Sequence, residues 1–210
     1  MGKDSKSKIL KRLTEAGLNK SEIPYPQITD NKDIFYQAVD DLVQLFKDQF
    51  RALGGVCYDC KSHSELSESI IAHCENIDDD RIFCADARLT HMLRSAGYKS
   101  KLNGSLKIPE ASLCISSCIA LIARTGSVLF SSEQAEGRSH GIAPDKQIVI
   151  AFKNQLVFNV AEALEKFTGE VKNLPSMISL TSGASRTADI EKTLVMGAHG
   201  PKELVIFLLD

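Results

Sequence analysis

The sequence predicts an α/β protein: a three-layer αβα arrangement around a mostly parallel sheet, preceded by a helical extension. Three observations lead there. Short β-rich runs alternate with stretches of helical period, as crossover connections between parallel strands require. Capping residues stand at the expected helix starts. The last run, Leu204–Leu209, is apolar at every position, as in a strand buried on both faces.

Taken in order, residues 1–32 are polar, with a short helix over about Lys8–Ala16 and an extended arm at Ile23-Pro24-Tyr25-Pro26, where two prolines disfavour helix. The basic run Lys6, Lys8, Lys11, Arg12 lacks interleaved aromatics and reads as a solvated helix face. From residue 33 to 210 a single domain is expected. Ile34, Ala38, Leu42, Phe46 and Leu53 recur at helical spacing, and Gly54 is placed as a stop. A strand follows around Gly55–Tyr58. Ser62 with Glu65 forms a capping box before the apolar stripe Leu66, Ile70, Cys74. Arg81–Cys84 reads as a buried strand, and Asp86 caps a helix carrying Leu89, Met92, Leu93 and Ala96. Ser127–Phe130 and Gln147–Phe152 are strand candidates on either side of a Gly/Ser/Pro loop. Asn159 with Glu162 caps a helix bearing Val160, Leu164 and Phe167. Met177–Leu180 is a strand, Ala188–Met196 a short helix, and Leu204–Leu209 the final strand.

Composition narrows the function classes. Apolar residues make up 43% and charged residues 25% of 210, ordinary for a globular chain. A net charge of −2 provides no broad field for nucleic acid or an anionic membrane. The longest apolar stretch, Leu113–Ala123, is too short to span a bilayer, which needs about 20 residues. With no apolar leader at the start, the expected location is the cytoplasm. There the six cysteines are expected to be reduced. Cys57-x-x-Cys60 lacks a second pair at zinc-finger spacing, Cys114 and Cys118 suit buried small hydrophobes, and no iron–sulfur ligand ladder occurs. No metal or cofactor is expected.

Three loops could carry chemistry, on the expectation that ligands sit at the carboxyl ends of sheet strands. The first is Thr181-Ser182-Gly183-Ala184-Ser185-Arg186-Thr187. Gly183 permits close backbone approach, and the hydroxyls, Arg186 and the N–H groups of the expected helix start can hold an anion. Asp189 and Glu191 would lie in that helix's first turn. The second is Gly197-Ala198-His199-Gly200-Pro201, a tight turn whose histidine can serve as acid or base. The third joins Arg124-Thr125-Gly126-Ser127 to Gly137-Arg138-Ser139-His140-Gly141, in which Arg138 and His140 could clamp an anion. The ligand-binding candidates are thus Thr125, Gly126, Ser127, Arg138, Ser182, Gly183, Ser185, Arg186, Thr187 and Gly200. His199, Glu191 and Asp189 are the candidate acids or bases, with no complete catalytic constellation.

The stretch SGASRTADIEKTLVMGAHGPKEL, Ser182–Leu204, closely resembles the signature of the LUD domain of the lactate-utilisation protein C (LutC/YkgG) type. Upstream, IARTGSVLF resembles that family's Ala-Glu-Thr-Gly-Ser segment, and the resemblance runs over about residues 35–210. It implies a fold like that of glucosamine-6-phosphate deaminase, ribose-5-phosphate isomerase and the CoA transferases. It also implies a bacterial, accessory, non-redox role in oxidising L-lactate to pyruvate, beside an FAD/iron–sulfur subunit and an iron–sulfur LUD subunit. Where the family has glutamate before Thr-Gly, this chain has Arg124. An arginine cannot make the covalent attack of a CoA-transferase glutamate, so that activity is disfavoured. Two other readings remain open: a stand-alone enzyme on a phosphorylated or CoA-linked metabolite, and a scaffolding module with a vestigial pocket.

Overall fold

The computed structural model describes residues 3–18, 40–74, 77, 81–99, 102, 104–106, 110–139, 145–170, 174–190, 193–197 and 200–210. The chain divides into two compact units, Met1–Ala38 and Val39–Asp210. In the first, helix α1 (Lys3–Leu18) extends the expected helix at both ends. Lys6, Lys8, Lys11 and Arg12 are exposed on it, as are its other described side chains, Ile9, Leu10 and Leu13 included. The arm at residues 23–26 lies outside the described residues, as do Ile34 and Ala38.

The second unit is α/β with a parallel central sheet, as the alternation predicts. Its five strands run β1 (Val56–Cys60), β11 (Glu203–Leu209), β6 (Lys146–Phe152), β3 (Leu113–Ser117) and β2 (Ile82–Phe83), every neighbour parallel. β11 shows why its sequence does not alternate. Val205, Phe207 and Leu209 enter the core on one face, where Leu66 and Ile70 of α3 (His63–Cys74) and Leu89 and Leu93 of α4 (Ala87–Ser95) cover them. Leu204, Ile206 and Leu208 enter the core on the other face, with Phe46 and Phe50 of α2 (Leu42–Ala52).

That second face carries more than a helix. A mixed sheet, β7 (Leu156–Val157), β4 (Ala120–Ile122), β5 (Ser127–Ser131) and β8 (Ile178–Thr181), packs there through Leu121, Val128 and Phe130. Its outer side, Ala120, Ile122 and Leu129, is covered by Ala163 of α5 (Val160–Glu170). The run Leu113–Ala123 therefore supplies two strands in two sheets, β3 and β4. Continuous apolar sequence of that length does not by its period distinguish strand from helix.

The expected caps form. Ser62 Oγ accepts from Glu65 N–H at 3.1 Å, and the Glu65 carboxylate accepts from Lys61 N–H at 2.8 Å. Asp86 Oδ1 accepts from Arg88 N–H at 2.8 Å, and Asn159 Oδ1 from Glu162 N–H at 2.9 Å. One expectation is corrected. Ala188–Met196 is not a helix; β9 (Arg186–Ile190) and β10 (Thr193–Met196) form an antiparallel hairpin. Its β-branched residues Thr187, Ile190, Thr193 and Val195 sit at or beside the pairing positions, and hydrogen bonds fix the hairpin's base. Ser185 N–H donates to Pro201 O at 2.8 Å, and Gly197 N–H donates to Ser185 O at 3.0 Å. Among the described residues no helix is long and apolar enough to cross a membrane.

The cysteines are dispersed through the core: Cys60, Cys74 and Cys84 in one cluster, Cys118 in another and Cys114 in a third. Burial pushes the Cys57 and Cys118 thiols up to about 12 and those of Cys60 and Cys84 to about 11. The reactive species is the thiolate. At pH 8 these four thiols therefore stay protonated, and native-state alkylation by iodoacetamide, read by mass spectrometry, should be at least tenfold slower than in denaturant.

Candidate functional site

The last turn of α2 organises the candidate loops. Gly126, at φ +58°, follows the short 3-10 turn Ala123–Thr125, and a Cβ there would lie 2.6 Å from Phe50 N and 2.9 Å from its Cα. Gly183, at φ +78°, would place a Cβ 2.5 Å from Leu53 O. Both positions need the left-handed backbone and lie where a side chain would strike a helix backbone. Arg186 Nη2 donates to Leu53 O at 3.2 Å, so a cation satisfies a carbonyl at the negative end of α2. The first and third sequence loops are joined directly, since Ser127 Oγ and Ser182 Oγ are 2.7 Å apart and Ser127 Oγ donates to Thr125 Oγ1 at 2.8 Å.

These contacts open a cleft of about 400 Å³ between Leu53, the segment Leu180–Arg186, and Gly200-Pro201. Of the ligand-binding candidates, Ser182, Gly183, Ser185, Arg186 and Gly200 line it. Thr125, Gly126 and Ser127 are not on its wall; they lock the loop that is. Thr187 and Asp189 lie in β9, and their side chains are outside the description. Glu191, His140 and His199 lie outside the described residues. Arg138 is exposed in a separate 3-10 turn, Gly137–Ser139, and does not reach the cleft wall. Arg124 is also exposed and off that wall, its N–H donating to Phe158 O at 3.0 Å.

The position of the cleft corrects a premise of the sequence reading. Leu53 precedes β1 and Pro201 precedes β11, so the cleft opens at the amino ends of these parallel strands, not their carboxyl ends. Nor does a helix N-terminus follow Thr187, so the converging N–H groups of a helix start are not formed there; the segment pairs as a strand instead. The polar groups on the cleft wall are the Arg186 guanidinium, which gives one N–H to Leu53, and the hydroxyl residues Thr181, Ser182 and Ser185.

At the carboxyl ends lies a larger cavity, about 690 Å³, that the sequence reading did not identify. Ser117 and Phe152, the last residues of β3 and β6, reach it with Asp86 and Arg88, which follow β2. Asp86 is 6% exposed. Burial by itself would raise its pKa, but hydrogen bonds from the Arg88 side chain and backbone, with the guanidinium charge, outweigh burial and hold it below the usual carboxylate range. The only sequence signal was its capping position.

Because the Gly126 contact is backbone against backbone, Gly126→Ala should destabilise the fold by about 2 kcal/mol or more, lowering Tm by roughly 4–8 °C. A thermal melt by circular dichroism checks this.

Comparison with known proteins places the chain. The LUD domain family model matches residues 98–209, more than half of the sequence. "Lactate utilization protein C" of Shouchella clausii is 38% identical over 92 residues, 42% of this chain and 40% of that protein. "Lactate utilization protein C 1" of Bacillus mycoides is 31% identical over 130 residues, covering 60% and 56%. "Uncharacterized protein YkgG" of Escherichia coli is 28% identical over 165 residues, covering 71% of each. The first of these matches therefore spans well under half the length of that relative. Among solved structures, a DUF162 family protein from Deinococcus radiodurans shares the fold, with a TM-score of 0.56 at 18% identity over 80% of this chain and 96% of that one. The chain belongs to the LUD domain family.

Proposed function

We propose that this protein is a non-redox component of an L-lactate utilisation system, in which the Leu53–Arg186–Pro201 cleft holds a small anion or a partner group. The observation that carries the reading is that one contiguous signature stretch, Ser182–Leu204, supplies most of the cleft wall. The relatives named for lactate utilisation support the process. A guanidinium beside hydroxyls suits a carboxylate, which accepts charge-assisted hydrogen bonds. Oxidising lactate to pyruvate releases two electrons and two protons, which need an acceptor. This chain's thiols are spread over separate core clusters, so that acceptor is assigned to FAD/iron–sulfur and iron–sulfur LUD partner subunits.

A strain lacking the gene should grow on pyruvate and fail on L-lactate, with growth restored by the wild-type copy. Arg186→Ala should fold, losing about 1 kcal/mol with its bond to Leu53, and should not restore growth. Normal growth of the deletion strain on L-lactate would contradict the lactate role. Full rescue by a folded Arg186→Ala protein would remove the cleft from it.

A further inference from the structure

The hydroxyl groups behind the Arg186 cleft have a fixed direction, which bears on the kind of carboxylate the cleft prefers. Ser127 is 3% exposed, and its Oγ makes three contacts: Thr125 Oγ1 at 2.8 Å, Thr125 O at 3.3 Å and Ser182 Oγ at 2.7 Å. A hydroxyl has one proton and two lone pairs. The Thr125 carbonyl can only accept, and in the contact with Thr125 Oγ1 it is Ser127 that donates. The Ser127 proton therefore points at Thr125. The contact with Ser182 then needs its proton from the other side, because two oxygens so close with none between them repel. Ser182 donates inward, to Ser127.

Ser182 stands on the cleft wall with Arg186. The turn carrying it is pinned at the next residue, where a Cβ on Gly183 would lie 2.5 Å from Leu53 O. With its proton turned inward, Ser182 offers the cleft only lone pairs. A ligand anchored through its carboxylate on Arg186 gains there from a hydrogen-bond donor beside that carboxylate. A 2-hydroxy acid carries such a donor. A 2-keto acid sets an acceptor against an acceptor, and Ser182 can turn to meet it only by giving up its bond to the buried Ser127. A water bridging the two acceptors recovers part of that loss, so the preference amounts to about tenfold.

We infer, resting on the anion-site reading of the cleft, that Ser182 selects a 2-hydroxy acid over the corresponding 2-keto acid. Ser127 is the positioning residue that fixes the direction of the Ser182 hydroxyl. The cleft thus tells lactate from pyruvate.

Calorimetric titration of the full chain with L-lactate, pyruvate and propionate tests this. L-lactate should bind about tenfold more tightly than either of the others. Ser127→Ala lets Ser182 turn its proton into the cleft, so pyruvate should gain until the ratio is below about threefold, with propionate unchanged. Ser182→Ala should bring L-lactate down to the level of propionate. If Ser127→Ala does not fold, Ser182→Ala decides. Equal affinity of the wild type for L-lactate and pyruvate would overturn the inference, as would a ratio unchanged in the folded variants. Equal loss of all three ligands in Ser127→Ala would do so too, because it would make Ser127 a structural support only. Arg186→Ala separates the two readings. Equal wild-type affinities that Arg186→Ala abolishes would sink the selectivity alone; binding that survives Arg186→Ala, or no binding of any of the three at millimolar concentration, would sink the anion cleft with it.

Discussion

The approach of three chain segments to the last turn of α2 is the constraint on which the candidate site depends. The turn at Gly126, the turn at Gly183 and the guanidinium of Arg186 all meet residues Gln49–Leu53, the last turn and C-cap of α2, chiefly at backbone atoms. Such contacts tolerate little displacement, because a Cβ at either glycine would sit well inside van der Waals distance. The helix is itself fixed by Phe46 and Phe50, both fully buried against the parallel sheet. Core packing thus sets the helix, the helix sets the turns, and the turns set the cleft.

Arg186 then has two tasks that oppose each other. Bonded to Leu53 O, it neutralises the negative end of α2; turned to a ligand, it would have to share its N–H groups with that carbonyl. The arrangement holds the guanidinium in a fixed place at the end of α2. The carboxyl-edge cavity differs, with largely apolar walls beside the paired Asp86 and Arg88. The cleft lies at the amino ends of β1 and β11 and the cavity at the carboxyl ends of β2, β3 and β6, so the two open at opposite ends of one parallel sheet.

Much of the fold was legible in the sequence because its determinants are local. Ser62–Glu65, Asp86 and Asn159–Glu162 signal helix starts through hydrogen bonds within a few residues, and all three form. β11 was legible because burial on both faces leaves an unbroken apolar run. Ala188–Met196 was not, because its residues suit a helix locally and only pairing with Thr187 and anchoring at Ser185 make it a hairpin. The partition of Leu113–Ala123 into two sheets is likewise a tertiary fact. The signature stretch revealed which loop lines the cleft, but not that Arg186 caps a helix 133 residues earlier. The Asp86 cavity carried no motif, since strands far apart in sequence assemble it.

Native-state hydrogen exchange on wild type and Gly183→Ala tests the organising role of α2 most directly. The amides of Leu53, Gly54 and Gly55, which donate into the last turn of α2, should lose protection together with Ser185 and Gly197, while those of β6 and β11 keep theirs. Loss confined to residues 182–184, leaving the helix end untouched, would contradict the account.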